Sequence, residues 1–304
     1  MIKLSSPSIY QKSLASIARC YPFLSGAASI PNSRAFRWIS GSPNVADWAP
    51  TPGGEIFARL NDFVGRAVFF AGDLDPKLSL IVRRLLKRGD TVFDIGANIG
   101  IMTLQFSDYV GETGVVHSFE PNPDVMKLLA SAVTRKAASN VLLNEIALGR
   151  KSDVLTLSAP EGNVGAGSLV RGSEWSDAKS YLVSVKTLDE YVAERSIKTI
   201  DLIKIDVEGG ELDLFIGARH VLEEIEPRAV LFEDNDRNGE RTSPAMTLLA
   251  ELGYGFISVE KSMLTLKLSI FDPDKEKVSG HDFVAAKRGP LFKRLCETLG
   301  LDRS

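Results

Sequence analysis

Residues 91–100, TVFDIGANIG, constrain this chain more than any other stretch. An apolar run ends in an acid, a Gly-Ala-Asn-Ile-Gly turn follows, and the next residues are amphipathic. Strand, tight turn and helix fit that order. Glycines let the backbone approach a ligand closely, and a helix start offers unpaired N–H groups. The turn is not G-X-G-X-X-G, which disfavours a pyrophosphate cradle. It is not G-X-X-X-X-G-K-[ST] either, which excludes a P-loop.

The unit repeats along the chain. Residues 91–94, 115–120, 141–147, 201–206, 229–233 and 255–259 read as strands, and 99–110, 124–136, 211–224 and 243–252 as helices. Such alternation predicts a parallel sheet with helices on both faces. The near-continuous apolar runs VVHSF, DLIKI and AVLF fit strands buried on both sides. A further helix is predicted from residue 78, stopping at Lys87-Arg88-Gly89. Residues 263–270 and 281–287 predict a hairpin or antiparallel strand closing one edge. Residues 154–158 and 181–185 are expected to pair, with the Gly- and Ser-rich stretch 159–179, including Trp175, as a substrate loop. A short hairpin is predicted over 55–70, around Asn61-Asp62. Residues 1–50 read as an arm with little regular structure, 51–288 as the main domain, and 289–304 as a polar tail with one short helix.

Composition narrows the partners. A chain of 304 residues, 44% hydrophobic and 25% charged, can bury a sizeable core. A net charge of −3 gives no polyelectrolyte signal, so nucleic acid is not an expected partner. Its 2 cysteines, Cys20 and Cys296, lie too far apart in sequence for a disulfide framework or a metal cluster, and read as free thiols. The 3 histidines, His117, His220 and His281, form no metal-binding pair. No apolar run approaches the roughly 20 residues that span a bilayer, and the N-terminus lacks an uninterrupted signal core. A cytoplasmic location is therefore expected.

Chemistry gathers at the strand ends. Asp94, Glu120, Asn144-Glu145 and Asp206 close successive strands, at the edge where open α/β sheets bind ligands. Glu120, in SFEPNP, can accept two hydrogen bonds from a ribose diol. Asp94 can orient the glycine loop or accept from an ammonium group. Lys204, Asp206 and Glu208 alternate, so they share a face if the strand continues. Asp206 is the candidate base or acceptor-orienting group, Lys204 tunes it or meets substrate, and Glu208 assists or binds a hydroxyl. The competing reading is a structural Lys204–Asp206 ion pair with Glu208 capping the next helix. The acidic run at 233–236 could bind a cation or a sugar, but reads first as a solvated loop, since acids favour exposure.

These residues resemble motifs I and II of class I S-adenosylmethionine-dependent methyltransferases. DIGANIG, FEPNP, NEIALG, VKTLDEY and DLIKIDVEGGELDLFIGA, in that order over about residues 55–235, resemble the FkbM family of O-methyltransferases. The resemblance implies a Rossmann-like α/β fold, its sheet mostly parallel with an antiparallel C-terminal edge strand. It also implies S-adenosyl-L-methionine as cofactor. Asp94, Gly96, Asn98 and Gly100 would hold its methionine portion, Glu120 its ribose, and Asn144 to Ala147 would lie beside its adenine. Asp206 and Glu208 would stand where acceptor and methyl group meet. The implied acceptor is a small-molecule or glycan hydroxyl, on a sugar, glycolipid or secondary metabolite, with no metal and with room for a homo-oligomer. Gly210 stands where the family commonly has alanine. Two other readings of the sheet are an NAD-dependent oxidoreductase and a non-catalytic binding module. The missing G-X-G-X-X-G opposes the first, and intact Asp94, Glu120 and Asp206 oppose the second. No Asn/Asp-Pro-Pro-aromatic motif of base methylation is present.

Overall fold

The computed structural model describes residues 5–20, 24–160, 162–163, 165, 167–169, 178–234, 242–273 and 281–301. An N-terminal hairpin pairs β1 (Ala46–Thr51) with β2 (Gly54–Arg59). The central strands are β3 (Thr91–Ile95), β4 (Val115–Phe119) and β5 (Val141–Asn144). A small separate sheet holds β6 (Ala147–Leu148), β7 (Asp153–Pro160) and β8 (Ala178–Lys186), in the order β6-β8-β7. The central sheet then continues with β9 (Leu202–Ile205), β10 (Ala229–Glu233), β11 (Tyr254–Lys261), β12 (Leu266–Phe271) and β13 (Asp282–Lys287).

The central sheet has 8 strands in the order β12-β11-β13-β10-β9-β3-β4-β5. The β10, β9, β3, β4 and β5 neighbours are parallel, whereas β13 runs antiparallel to β10 and β11, and β12 antiparallel to β11. This is the expected mostly parallel α/β sheet with an antiparallel C-terminal edge. Strand alternation sends Phe93, Ile203 and Phe232 to one face, where they pack with Tyr191, Phe215 and Met246. Val92, Leu202 and Leu231 point the other way, onto Ile81, Phe106 and Leu295. Both faces are covered, which explains the near-continuous apolar strands.

Several expectations are corrected. The region 1–50 contains helices Ile9–Ala18, Ser29–Asn32 and Arg34–Ile39 besides β1. Two of its serines serve as caps: Ser8 forms a capping box with Gln11, and Ser33 accepts from the Phe36 N–H. The hairpin turns at Pro52-Gly53, between paired Thr51 and Gly54, rather than at Asn61-Asp62. Asp62 instead caps helix Phe63–Ala71, accepting from the Gly65 N–H at 3.0 Å. Its FVGRAVFFA run looks β-rich because the helix is buried nearly all round.

At the other end, β13 inserts between β10 and β11, so β12 and β13 do not form a hairpin with each other. Residues 211–224 do not form one helix: Glu211–Ile216 ends at Gly217, and a π turn spans Val221–Ile225. The helix expected in the tail is Pro290–Leu299, but it is not a polar appendage: it buries Leu295, Cys296 and Leu299 against the sheet. The pairing of β7 with β8 agrees with the sequence, in the register Leu155↔Val183. Trp175, Asn235 and Asp236 lie outside the described residues. Among the described residues, no helix is long and apolar enough to cross a membrane.

Candidate active site

Chain order reverses between β3 and β9, neighbours in the sheet with β4 following β3 on its other side. Ligands of open α/β sheets bind beyond the strand ends at such a point. A cleft of about 1040 Å³, counted to its open mouth, lies there. Gly96, Asn98, Glu120, Ala147, Asp206 and Glu208 all line it.

The floor is an ion pair dictated by register. Asp94 and Lys204 are direct partners on adjacent parallel strands and point to the same face. The Lys204 ammonium lies 3.3 Å from Asp94 Oδ1 and 3.6 Å from Asp206 Oδ2, and donates to the Gly96 carbonyl at 2.9 Å. Thr103 Oγ1 donates to Asp94 Oδ2 at 2.6 Å. Burial pulls the Lys204 ammonium down, but Asp94 and then Asp206 outweigh it and leave its pKa above the ordinary value. Asp94 is fully buried and Lys204 is 5% exposed. Both stand behind the cleft wall, a placement that suits holding the strand ends together better than touching substrate.

The glycine loop sits directly above. Gly96 adopts φ 75°, and a Cβ there would come 1.8 Å from the Asp206 carbonyl oxygen. Only glycine allows this approach between the ends of β3 and β9. Asn98 also has positive φ, 51°, and its N–H donates to Glu120 Oε2 at 3.0 Å. Gly100, with φ 99°, packs over Leu129 and is outside the cleft lining. Glu120 accepts a second backbone bond from Asn122, at 2.9 Å. Burial pushes its carboxyl up to about 7, although these two N–H bonds and the Lys204 charge oppose the shift. A carboxyl that is 8% exposed, on the wall of an open cleft, is built to meet a polar ligand.

Ile146, Ala147, Leu148 and Leu157 form an apolar slot beyond Glu120. Asn144 is not part of that slot. Its amide donates to the Ser118 and Leu142 carbonyls, and its Oδ1 accepts from the Tyr191 hydroxyl at 3.0 Å. Tyr191 also bonds His117 Nδ1 at 2.8 Å. Burial lowers His117 to about 4, with the Arg195 charge adding to the effect. Asn144 thus supports the wall from behind, while its backbone carbonyl accepts from the Glu120 N–H at 3.1 Å.

The opposite wall is more open. The Asp206 side chain is 45% exposed, just past the end of β9. Glu208 lines the same cleft, but not by strand alternation. The strand has stopped, and Glu208 occupies a left-handed turn with φ 51°. It does not cap the following helix, whose N-cap is Gly210. Glu211 satisfies that turn instead, accepting from the Gly209 N–H at 3.2 Å. Burial, reinforced by the Asp206 and Glu208 charges, raises Glu211. Ser168 Oγ donates to the Glu208 carbonyl at 3.0 Å, tying the segment after β7 to this wall.

Asp282 and Lys77 form a close ion pair that sequence reading missed. Asp282 is raised first by burial, with Lys77 opposing and the Asp75 and Asp206 charges adding. An antiparallel strand begins where its parallel neighbours end, so β13 delivers Asp282 to the functional edge beside Glu233.

The sequence model of the methyltransferase FkbM domain matches residues 94–256. The 31-O-demethyl-FK506 methyltransferase FkbM of Streptomyces tacrolimicus is 31% identical over 204 residues, covering 57% of this chain and 76% of that protein. Methyltransferase 1 of Beauveria bassiana (strain ARSEF 2860) is 26% identical over 187 residues, covering 56% and 74%. Among solved structures, methyltransferase FkbM from Methylobacillus flagellatus KT aligns with TM-score 0.43 and 13% identity, over 74% of this chain and 53% of that one. This chain therefore spans about half the length of that structure. With the glycine loop, Glu120 and Asp206 all inside the matched span, the chain belongs to the FkbM methyltransferase family.

Proposed function

We propose that this protein transfers a methyl group from S-adenosyl-L-methionine to a hydroxyl oxygen of a sugar, glycolipid or secondary metabolite. The observation that carries the reading is one cleft with a buried carboxyl, Glu120, on one wall and a half-exposed carboxylate, Asp206, on the other. The residues present fit the cofactor. Glu120 would accept from the ribose hydroxyls, and Ile146, Ala147 and Leu148 would flank the adenine. The loop from Gly96 through Asn98 to Gly100 would border the methionine portion, braced by Asp94 and by Asn144 from behind. When bound, the cofactor supplies an electrophilic methyl group on sulfur.

The chain's own part is alignment and proton transfer. Asp206 accepts the acceptor hydroxyl proton or orients that hydroxyl, and Glu208 binds a neighbouring hydroxyl. Lys204 acts through Asp206 and the Gly96 carbonyl as a positioning residue. An oxygen acceptor has a precedent in the Streptomyces relative, whose name gives 31-O-demethyl-FK506 as substrate.

Calorimetry with S-adenosylhomocysteine, followed by a labelled methyl-transfer screen over polyol, glycan and macrolide hydroxyls, tests the reading. Binding of S-adenosylhomocysteine and label recovered as a methyl ether are expected. Binding of NAD with no affinity for S-adenosylhomocysteine would overturn it.

A further inference from the structure

A second cavity runs along the outside of the wall formed by Phe63, Asn98 and Asn163. The two cavities share a ridge. Phe63, Asn98 and Asn163 face the first, while Asp62, Ile99 and Gly162 face the second. The Phe63 N–H donates to the Gly162 carbonyl at 2.9 Å and closes the ridge.

Two cationic side chains line the second cavity, Arg59 from β2 and Lys179 from β8. Arg59 is the unusual one. Its Nε is buried and without a hydrogen-bond partner, and among the described residues no carboxylate pairs with its guanidinium. Its neighbours are satisfied. Arg66 donates to the carbonyls of Pro31 and Leu60 and to Ser40 Oγ, and Arg135 pairs with Glu55 at 2.7 Å. A buried guanidinium N–H left unmatched is unfavourable, and its planar fork suits a carboxylate, phosphate or sulfate. Lys179 is only weakly committed elsewhere: its ammonium sits 3.8 Å from Asp124, in a pair whose side chains are 65% and 38% exposed. The cavity also holds a carboxylate, Asp62, which is engaged by the Gly65 N–H as the helix cap.

We propose that Arg59 and Lys179 form a subsite for the anionic group of the methyl acceptor. The inference rests on the methyltransferase reading above and adds a substrate class to it. The acceptor would be a hydroxyl compound carrying a carboxylate, phosphate or sulfate, its acid seated beyond the Phe63–Gly162 ridge and its hydroxyl reaching across to Asp206. The cofactor's own carboxylate is the rival source of negative charge, and the test separates the two.

The test titrates inorganic phosphate, at low ionic strength, into full-length protein saturated with S-adenosylhomocysteine. Wild type should bind it, and Arg59→Gln should weaken that binding at least about tenfold, as loss of a charge-assisted pair does. Lys179→Gln should weaken it less, and both variants should keep the wild-type affinity for S-adenosylhomocysteine. No phosphate binding by wild type, or binding indifferent to Arg59, would overturn the subsite. A parallel loss of S-adenosylhomocysteine affinity in Arg59→Gln would also overturn it, by assigning the guanidinium to the cofactor. Failure of wild type to bind S-adenosylhomocysteine would instead remove the methyltransferase reading. Arg59→Lys keeps the charge without the fork, and partial recovery of phosphate binding is expected if Arg59→Gln has not simply disturbed β2.

Discussion

On the wall carrying Gly96, Asn98 and Glu120, main-chain groups hold each position: the Gly96 N–H donates to the Phe119 carbonyl of β4, the Asn98 N–H to the Glu120 carboxylate and the Glu120 N–H to the Asn144 carbonyl of β5, and Glu120 is only 8% exposed. Across the cleft, Asp206 is nearly half exposed and Glu208 stands on a left-handed turn past the end of β9. The first wall is part of the sheet. The second is made of strand-end groups and the segment after β7. A cofactor shared by many enzymes suits a wall fixed by the fold, whereas acceptors that vary suit groups on turns, where change costs the core little. Lys204 touches both sides, which makes it the place to ask whether they are separable.

The largest effect is expected from the open wall. Asp206→Asn should lower turnover about 10²–10⁴-fold, the range for a positioned general base, while S-adenosylhomocysteine affinity stays unchanged. Equal losses in turnover and affinity would collapse the distinction between the walls. Next comes Lys204→Met, which leaves Asp94 buried without its cation. Denaturant unfolding should show a loss of about 3–5 kcal/mol, as for breaking a buried pair, with both walls affected. A merely local drop in turnover would mean that the pair does not brace the sheet.

Glu120→Ala should weaken S-adenosylhomocysteine by about 1.5–3 kcal/mol, the value of hydrogen bonds to a charged group. In wild type the same affinity should rise as pH passes upward through about 7, because ribose hydroxyls donate to the carboxylate form of Glu120. A flat profile between pH 6 and 8 would remove the proposed diol contact.

The smallest effect concerns stability in the absence of ligand. Glu120 has a raised native pKa, so its contribution is complete below its unfolded value of 4.5 and is lost as pH rises through about 7. His117 has a lowered native pKa, so its contribution is complete above 6.5 and is lost as pH falls through about 4. The two slopes oppose each other between pH 4.5 and 6.5. Glu120→Gln should uncover the His117 slope, seen as a urea midpoint that rises with pH over that window.

The same contrast between walls explains what was legible beforehand. Strand–turn–helix units carry their periodicity locally, so the parallel sheet and the positions of Asp94, Glu120 and Asp206 at its edge could be read directly. The Asn144 side chain is not among the cleft's lining groups, because a residue's place at a strand end does not fix which way its side chain points. Here the chain leaves β5 at Asn144 for a second sheet, and the amide turns inward to Tyr191. Glu208 was placed in the cleft for the wrong reason, since the alternation that argued for it stops at Ile205. Arg59 and Asp282 were invisible because their roles depend on β2 lying beside the β7–β8 segment and on β13 entering between β10 and β11. Those are long-range choices with no local signature.

The close approach of Gly96 to the Asp206 carbonyl acts as a gauge block between two workpieces. Main-chain atoms set the spacing between the loop proposed to hold the donor and the residue proposed to receive the proton, and no acceptor-recognising side chain takes part. Segments that choose the acceptor can then be exchanged, lengthened or recharged across a family without retuning the reach of the reaction. For an engineer, the proposed Arg59 subsite is the place to try rewriting specificity, and residues 94–100 with 204–206 are the spacing to leave alone.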